Sequence, residues 1–224
     1  MTSKIINKSI DMIKKNFVVF IIAAAVYAVA KQLVSGSTGI LALIMSLVGT
    51  VITISSACFY FRAYNRSEPN LSDMYLIFTY PGSVSKLVSV FLAIWIISAG
   101  GAILARFFIL MPLISALITL AVLVITFLLS LAVYLVVANP DYPTEYYLKA
   151  SARYLGGHWL GFIGFVILIA IIPAIIEAFV AMILGNTISL LVSIPLNAFV
   201  NLCVAGYVSE QLIPDEWYAG YRSF

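Results

Sequence analysis

The chain has 224 residues, of which 63% are hydrophobic and only 9% charged, with a mean hydropathy of +1.12. A soluble domain carries roughly 25% charged residues, so this composition excludes an ordinary soluble globular protein. The net charge of +3 is too small for a nucleic-acid-binding surface, and its placement along the chain says more than its sum.

A bilayer-spanning helix needs about 20 apolar residues. Taken in order, the apolar runs predict six spans, near Phe17–Val34, Gly39–Phe61, Leu87–Ala105, Leu113–Ala138, Trp159–Leu184 and Ile188–Leu212. Met1–Asn16 is polar and charged and the first apolar run has full span length, so no cleavable signal peptide is expected. The predicted fold class is all-α integral membrane, a single polytopic domain over 1–224.

Charge orients it. Lys4, Lys8, Lys14, Lys15, Arg62, Arg66, Lys86, Lys149, Arg153 and Arg222 fall on one side of the spans, and only Lys31 and Arg106 on the other. The positive-inside rule then puts both termini in the cytoplasm, in the cell membrane. Tyr60, Tyr64, Tyr75, Tyr80, Tyr142, Tyr146, Tyr147, Tyr154, Trp159, Trp217 and Tyr218 gather at the same boundary, as an interfacial aromatic belt does.

Ser72-Asp73-Met74-Tyr75-Leu76 matches Thr144-Glu145-Tyr146-Tyr147-Leu148 at an offset of 72, and Lys86-Leu87 matches His158-Trp159. Each begins with a capping residue and an acid, as a helix start prefers. In Lys4–Asn16 the residues Ile6, Ile10, Ile13 and Phe17 recur at helical spacing, with Lys4, Lys8, Asp11 and Lys15 on other faces. The chain therefore reads as three quasi-repeats, near 1–70, 71–142 and 143–214. Each is a cytoplasmic interfacial amphipathic helix (Lys4–Asn16, Asn70–Tyr80, Thr144–Leu155) followed by a membrane hairpin.

Residues that could carry chemistry are few. Glu177 is the clearest intramembrane charge, about 27 Å along a helix from Trp159 and so near the outer boundary, at a depth similar to Lys31 and Arg106. A structural ion pair, or a carboxylate reaching outer water, is the preferred reading; a cation, proton or basic-peptide site is the sharper one. Pro173, four residues earlier, frees a carbonyl. Ser189, Ser193, Asn197 and Asn201 form a stripe at spacing of four that must meet protein or water, as interhelical glue or as the lining of a polar path. Ser46, Thr50 and Thr53 make a shorter polar face. Gly157, Gly161 and Gly164, and Gly100-Gly101, offer close helix contacts. Asp73, Glu145, Lys149 and Arg153 are the candidate cytoplasmic docking residues, although Glu145 and Lys149 at i,i+4 can simply pair with each other.

His158 reads as an interfacial residue, and Cys58 and Cys203 as buried free thiols. No hydrolase, phosphate-loop or metal-ligand motif occurs, so no catalytic residue, metal or cofactor is expected and the chain reads as a non-enzyme.

Three pieces carry a resemblance: Lys8-Ser9-Ile10 with Ile13-Lys14-Lys15-Asn16-Phe17, then Glu68-Pro69-Asn70-Leu71-Ser72-Asp73-Met74-Tyr75, then Asn139-Pro140-Asp141 with Ala150-Ser151-Ala152-Arg153-Tyr154-Leu155-Gly156-Gly157. In this order the chain resembles poorly characterised six-helix membrane families of Gram-positive bacteria, including the membrane domain preceding some glycerophosphodiester phosphodiesterases. The resemblance implies a six-helix membrane domain with interfacial helices and no catalytic residue, since the phosphodiesterase site belongs to a separate domain. The uninterrupted fourth apolar run departs from those families, which often carry a Pro-Gly break there.

The amphipathic start and the cytoplasmic helix after the second span also look like the permease subunits of small ABC exporters. That resemblance implies transport of a lipid or a hydrophobic or cationic peptide, with a cytoplasmic ATPase or another membrane subunit as partner. A bacteriocin immunity factor, a membrane scaffold and a small channel are the alternatives; a homo-oligomer fits any of them.

Overall fold

The computed structural model describes residues 2–35, 39–66, 69–74 and 83–218; of 30–35, 39–44, 46, 47, 50, 186, 187 and 190 it describes the backbone alone. The described residues are helical throughout, with no strand. The helices are α1 (Thr2–Lys15), α2 (Phe17–Ser35), α3 (Gly39–Asn65), α4 (Ser83–Phe107), α5 (Pro112–Leu129), α6 (Ala132–Ala138), α7 (Thr144–Leu184) and α8 (Asn186–Tyr207). Short 3₁₀ turns cover Leu71–Met74 and Asp215–Tyr218.

Among the described residues four stretches are long and apolar enough to cross a membrane: Ser83–Phe107, Pro112–Ala138, Thr144–Leu184 and Leu191–Leu212. The first two predicted spans form helices as well, α2 and α3. Their composition explains the state: long Leu, Ile, Val and Ala runs satisfy every backbone group internally, the requirement in a medium without water. Large apolar side chains stand outward along these helices, Leu110, Leu113, Leu160, Ile172 and Met182 among them. An apolar surface of this extent needs a cover other than water.

The chain groups into two compact units, Met1–Ile77 with His158–Ile213, and Phe78–Gly157 with Pro214–Phe224. In the first, the core lies at one end of the helices. Phe20 stacks on Tyr60 with centroids 6.1 Å apart and meets Phe59 edge-on. Ala198, Leu202 and Ala205 of α8 and Val208 just after it are buried as well. Gly206 permits the contact, since a Cβ there would stand 2.5 Å from the Tyr64 ring and 2.9 Å from Ile5.

In the second unit α4 and α5 form a tight hairpin. The Ser115 hydroxyl donates to the Ala105 carbonyl (3.0 Å), and Ser98 and Thr126 hydroxyls meet at 3.2 Å. Gly101 lies against Val122, whereas Gly100 faces open space. The segment around Pro140 is tied down by Tyr147, whose hydroxyl donates to the Asn139 carbonyl (2.7 Å) and accepts the Tyr142 N–H (3.0 Å), and by Lys86, which donates to the Pro140 carbonyl.

Four sequence expectations change. The fourth apolar run is not one uninterrupted helix: it steps at Ser130–Leu131, where the Ser130 N–H and hydroxyl both turn back to the Phe127 carbonyl. A hydroxyl that competes for backbone acceptors loosens the helix there, and the buried Ser151 hydroxyl donates to the Leu128 carbonyl at 2.6 Å. Thr144–Leu155 is not a separate surface helix but the first turns of α7, which continues unbroken to Leu184; Gly156-Gly157 alone does not stop it. The described part of Asn70–Tyr80 forms the 3₁₀ turn Leu71–Met74 in place of the start of an α-helix, and 75–80 lie outside the described residues. The last span reaches Leu212 but not as one α-helix, since α8 stops at Tyr207 and a π turn covers Val208–Leu212.

The aromatic belt is also partly core, with Tyr60, Tyr64, Tyr147 and Trp217 fully buried, while Tyr142, Tyr146 and Trp159 remain exposed.

Gly101→Ala is expected to lower stability by about 1–3 kcal/mol, the usual cost of overpacking. Rotation of Val122 cannot relieve it, because the new Cβ would meet the Val122 Cβ itself at 3.0 Å. Gly100→Ala should be neutral or raise stability by up to about 1 kcal/mol through helix propensity. Thermal unfolding in detergent checks both, and adding Val122→Ala should restore the Gly101→Ala protein.

Candidate functional site

Polar chemistry in the first unit collects where α1, the end of α3 and the π turn meet. The π turn closes through the Ile213 N–H, which donates to the Val208 carbonyl (3.0 Å). Its wider turn aims Ser209 and Glu210 at α3, and such turns recur at functional positions. Ser209 donates to Asn65 Oδ1 at 2.7 Å. The Tyr64 hydroxyl donates to Glu210 Oε1 at 2.6 Å, and Lys4 Nζ approaches Oε2 at 3.5 Å. Lys8 Nζ sits 3.9 Å above the Tyr64 ring centre, a cation–π contact. The short Tyr–carboxylate distance marks a charge-assisted bond, stronger than a neutral one.

A second cluster lies beside it. Asp73 is fully buried; Arg66 Nη1 stands 3.0 Å and Arg62 Nη1 3.8 Å from its Oδ1, and the Asn70 N–H donates to its Oδ2 (3.1 Å). Two guanidiniums and a backbone donor compensate the buried carboxylate, as a group out of water requires. Asp73 is thereby withdrawn from the exposed docking platform expected of it. It fastens the segment after α3 instead.

The other docking candidates stay on the surface. Glu145 and Lys149 pair at 3.5 Å with both side chains about four-fifths exposed, and Arg153 is exposed two turns on from Glu145. Such a pair is worth only about 0.3–0.5 kcal/mol.

Of the intramembrane candidates, Glu177 is half-buried and its carbonyl accepts the Ser189 hydroxyl at 3.2 Å. Among the described residues its carboxylate forms no ion pair, and the Lys31 side chain lies outside them. Arg106 is exposed in the last turn of α4. Along α8, Ser189 and Ser193 are half-buried, while Asn197 and Asn201 are exposed. The Asn201 amide donates to the Asn197 carbonyl at 2.8 Å. In the glycine motif, Gly161 faces the Tyr207 hydroxyl, while Gly157 and Gly164 face open space. Ser46 and Thr50 side chains lie outside the described residues, and Thr53 donates to the Gly49 carbonyl. Cys58 and Cys203 are buried free thiols, and no described group of three or more His, Cys, Asp or Glu is placed to hold a metal ion.

Sequence reading missed Glu210 and Tyr64. Tyr64 reads as one ring of the boundary belt and Glu210 falls inside the predicted span Ile188–Leu212; the polar run Ser209-Glu210-Gln211 within that span was the signal. Comparison with family models, curated proteins and solved structures finds no match for this chain.

Asp73→Ala should cost about 1–3 kcal/mol, because the Asn70 N–H and two half-buried arginines lose their acceptor, whereas Glu145→Ala should cost under about 0.5 kcal/mol. Unfolding of the two variants side by side checks the contrast. For the π turn, Tyr64→Phe and Glu210→Gln in a double-mutant cycle should show coupling of about 1.5–3 kcal/mol, the range for a bond to a charged group.

Proposed function

We propose that the chain is an integral membrane protein of six spans, α2, α3, α4, α5 with α6, α7 and α8, with both termini cytoplasmic. It serves as the non-enzymatic, permease-like membrane subunit of an exporter or membrane complex that handles a lipid or a hydrophobic or cationic peptide. The observation that carries this is the pair Asn197 and Asn201, exposed on α8 between apolar neighbours. They stand about 17–23 Å along the helix from its Asn186 end, close to mid-bilayer in a span of this length. The Asn201 amide keeps one bond, to the Asn197 carbonyl, but the other donors and acceptors of the two amides need partners that hydrocarbon lacks, so this face meets another protein subunit or a water-lined path. Both belong to transport complexes.

The ten-to-two distribution of Lys and Arg supports the topology. Within the first unit, α1, the end of α3 and the end of α8 come together at one end, as a common side for Lys4, Arg62 and Arg66 requires. Glu145, Lys149 and Arg153 on the first turns of α7 are the surface offered to a cytoplasmic ATPase or other partner.

Two measurements check the reading. Cysteines placed at Ser37 and Asn186 should react with an impermeant reagent in intact cells, and those at Lys149 and Arg153 only after permeabilisation. The reverse pattern would refute the topology. On native gels in mild detergent the chain should migrate with a partner or as an oligomer, and Asn197→Leu with Asn201→Leu should release it. A monomer unchanged by the double substitution would refute the subunit reading.

A further inference from the structure

α1 carries three distinct faces. Successive residues turn by about 100° around a helix. Lys4, Lys8, Asp11 and Lys15 thus share one stripe. Ile5 and Ser9, the buried pair, lie about 110° away from it, and Ile6, Ile10 and Ile13, half-exposed, lie about 90° further on. The sequence puts Ile6, Ile10, Ile13 and Phe17 on the apolar face of an interfacial helix; the structure leaves the three isoleucines half-exposed and Phe17 more than half exposed, and packs Ile5 and Ser9 against the rest of the unit.

Ile5 packs at Gly206 of α8, beside the Tyr64 ring of α3. The axis of α1 makes 97° with the following Phe17–Val29. At that junction the Asn16 N–H and side-chain amide both donate to the Met12 carbonyl. With α2 along the bilayer normal, which is the membrane reading above, α1 lies in the plane of the membrane surface. Its packed face is turned to the helix ends, so the isoleucines and the lysine stripe form opposite flanks at headgroup level. The apolar flank suits acyl chains. The basic flank is an open, shallow groove along one side of α1, lined by Lys4, Asn7, Lys8, Asp11, Met12, Lys15 and Asn16.

We propose that this groove binds the phosphate of an anionic phospholipid headgroup, with Lys8 and Lys15 as the main cationic contacts and Lys4 at its edge. Three lysines against one aspartate leave the stripe with a surplus of positive charge. Lys4 spends part of its charge on Glu210. Lys8 is held in place over Tyr64, and partial desolvation lowers its pKa, with Glu210 opposing the shift and Lys4 adding to it. An anion at the groove stabilises the charged ammonium and offsets that desolvation. Lys15 forms no ion pair among the described residues and adds the second charge. Each lysine near an anionic surface contributes about 1 kcal/mol, or about fivefold in affinity.

The test uses the full chain, purified in detergent and titrated with short-chain phosphatidylglycerol, short-chain phosphatidylcholine or inorganic phosphate, with the thermal unfolding midpoint as readout. Phosphatidylglycerol should raise the midpoint saturably and the other two should not. Lys15→Gln and Lys8→Gln should each weaken the apparent affinity about fivefold. Lys14→Gln makes the same charge change on the same helix but lies about 90° off the stripe, and should leave the affinity unchanged. Equal stabilisation by phosphatidylcholine would overturn the proposal, as would an equal response to inorganic phosphate, which would make the ligand a soluble anion. An equal loss in Lys14→Gln and Lys15→Gln would overturn it too, by showing diffuse attraction without a site. Failure of the membrane reading is separately visible, as release of the chain from membranes by alkaline carbonate.

Discussion

The carboxylate of Glu210 is the point on which the described end of the first unit depends. It accepts the Tyr64 hydroxyl and faces Lys4, so one side chain joins α1, α3 and the π turn after α8. These segments are far apart in the chain, and apolar packing alone would let them slide, because apolar contact is non-directional. A charge-assisted bond of 2.6 Å fixes a register. Gly206 follows from it: with Tyr64 drawn to Glu210, only a residue lacking Cβ fits beneath the ring.

The same logic places Asp73. A lone buried carboxylate is too costly to survive folding, and a lone buried guanidinium equally so. Arg62 and Arg66 on the last turns of α3 supply the compensation and at the same time hold the chain that leaves the helix. Polar groups at this end therefore act as fasteners between apolar helices. At Asn197 and Asn201 the polar groups fasten no second helix: both stay exposed, and the Asn201 amide turns to the Asn197 carbonyl of its own helix.

The sequence made the class of helix legible, because hydropathy over twenty residues is a summed quantity and tolerates local error. It places α4 closely and the end of α7 at Leu184, and marks Gly100-Gly101 for a close contact, which Gly101 makes. What it could not show were interruptions set by single hydroxyls and turns. Ser130 splits the fourth run through two bonds to one carbonyl, and Ser occurs elsewhere in these helices without that effect. Gly156-Gly157 looked like a helix boundary and is crossed without a break. Which residues of α1 pack inward was not legible, since Ile5 and Ile6 are equally apolar and only the position of Gly206 decides that Ile5 packs.

The candidate site was less legible than the fold for a physical reason. Residues were ranked by how deep in the bilayer their charge would lie, which brought Glu177 forward and passed over Glu210. Depth measures the cost of a charge; function and fastening depend on what the charge meets. Glu177 is half-buried with no ion pair among the described residues, whereas Glu210 meets a phenol and an ammonium within 3.5 Å. Glu210 takes up part of the Lys4 charge, and Asp11 stands one turn from Lys15 on the same stripe, so the lysines of α1 are unequally compensated. The proposed anion, held by Lys8 and Lys15, lies toward the junction of α1 and α2, where the chain bends into the first predicted span. A ligand bound there bears on the angle between the two helices, so the charge pattern that holds α1 in place also determines where an outside anion could act on it.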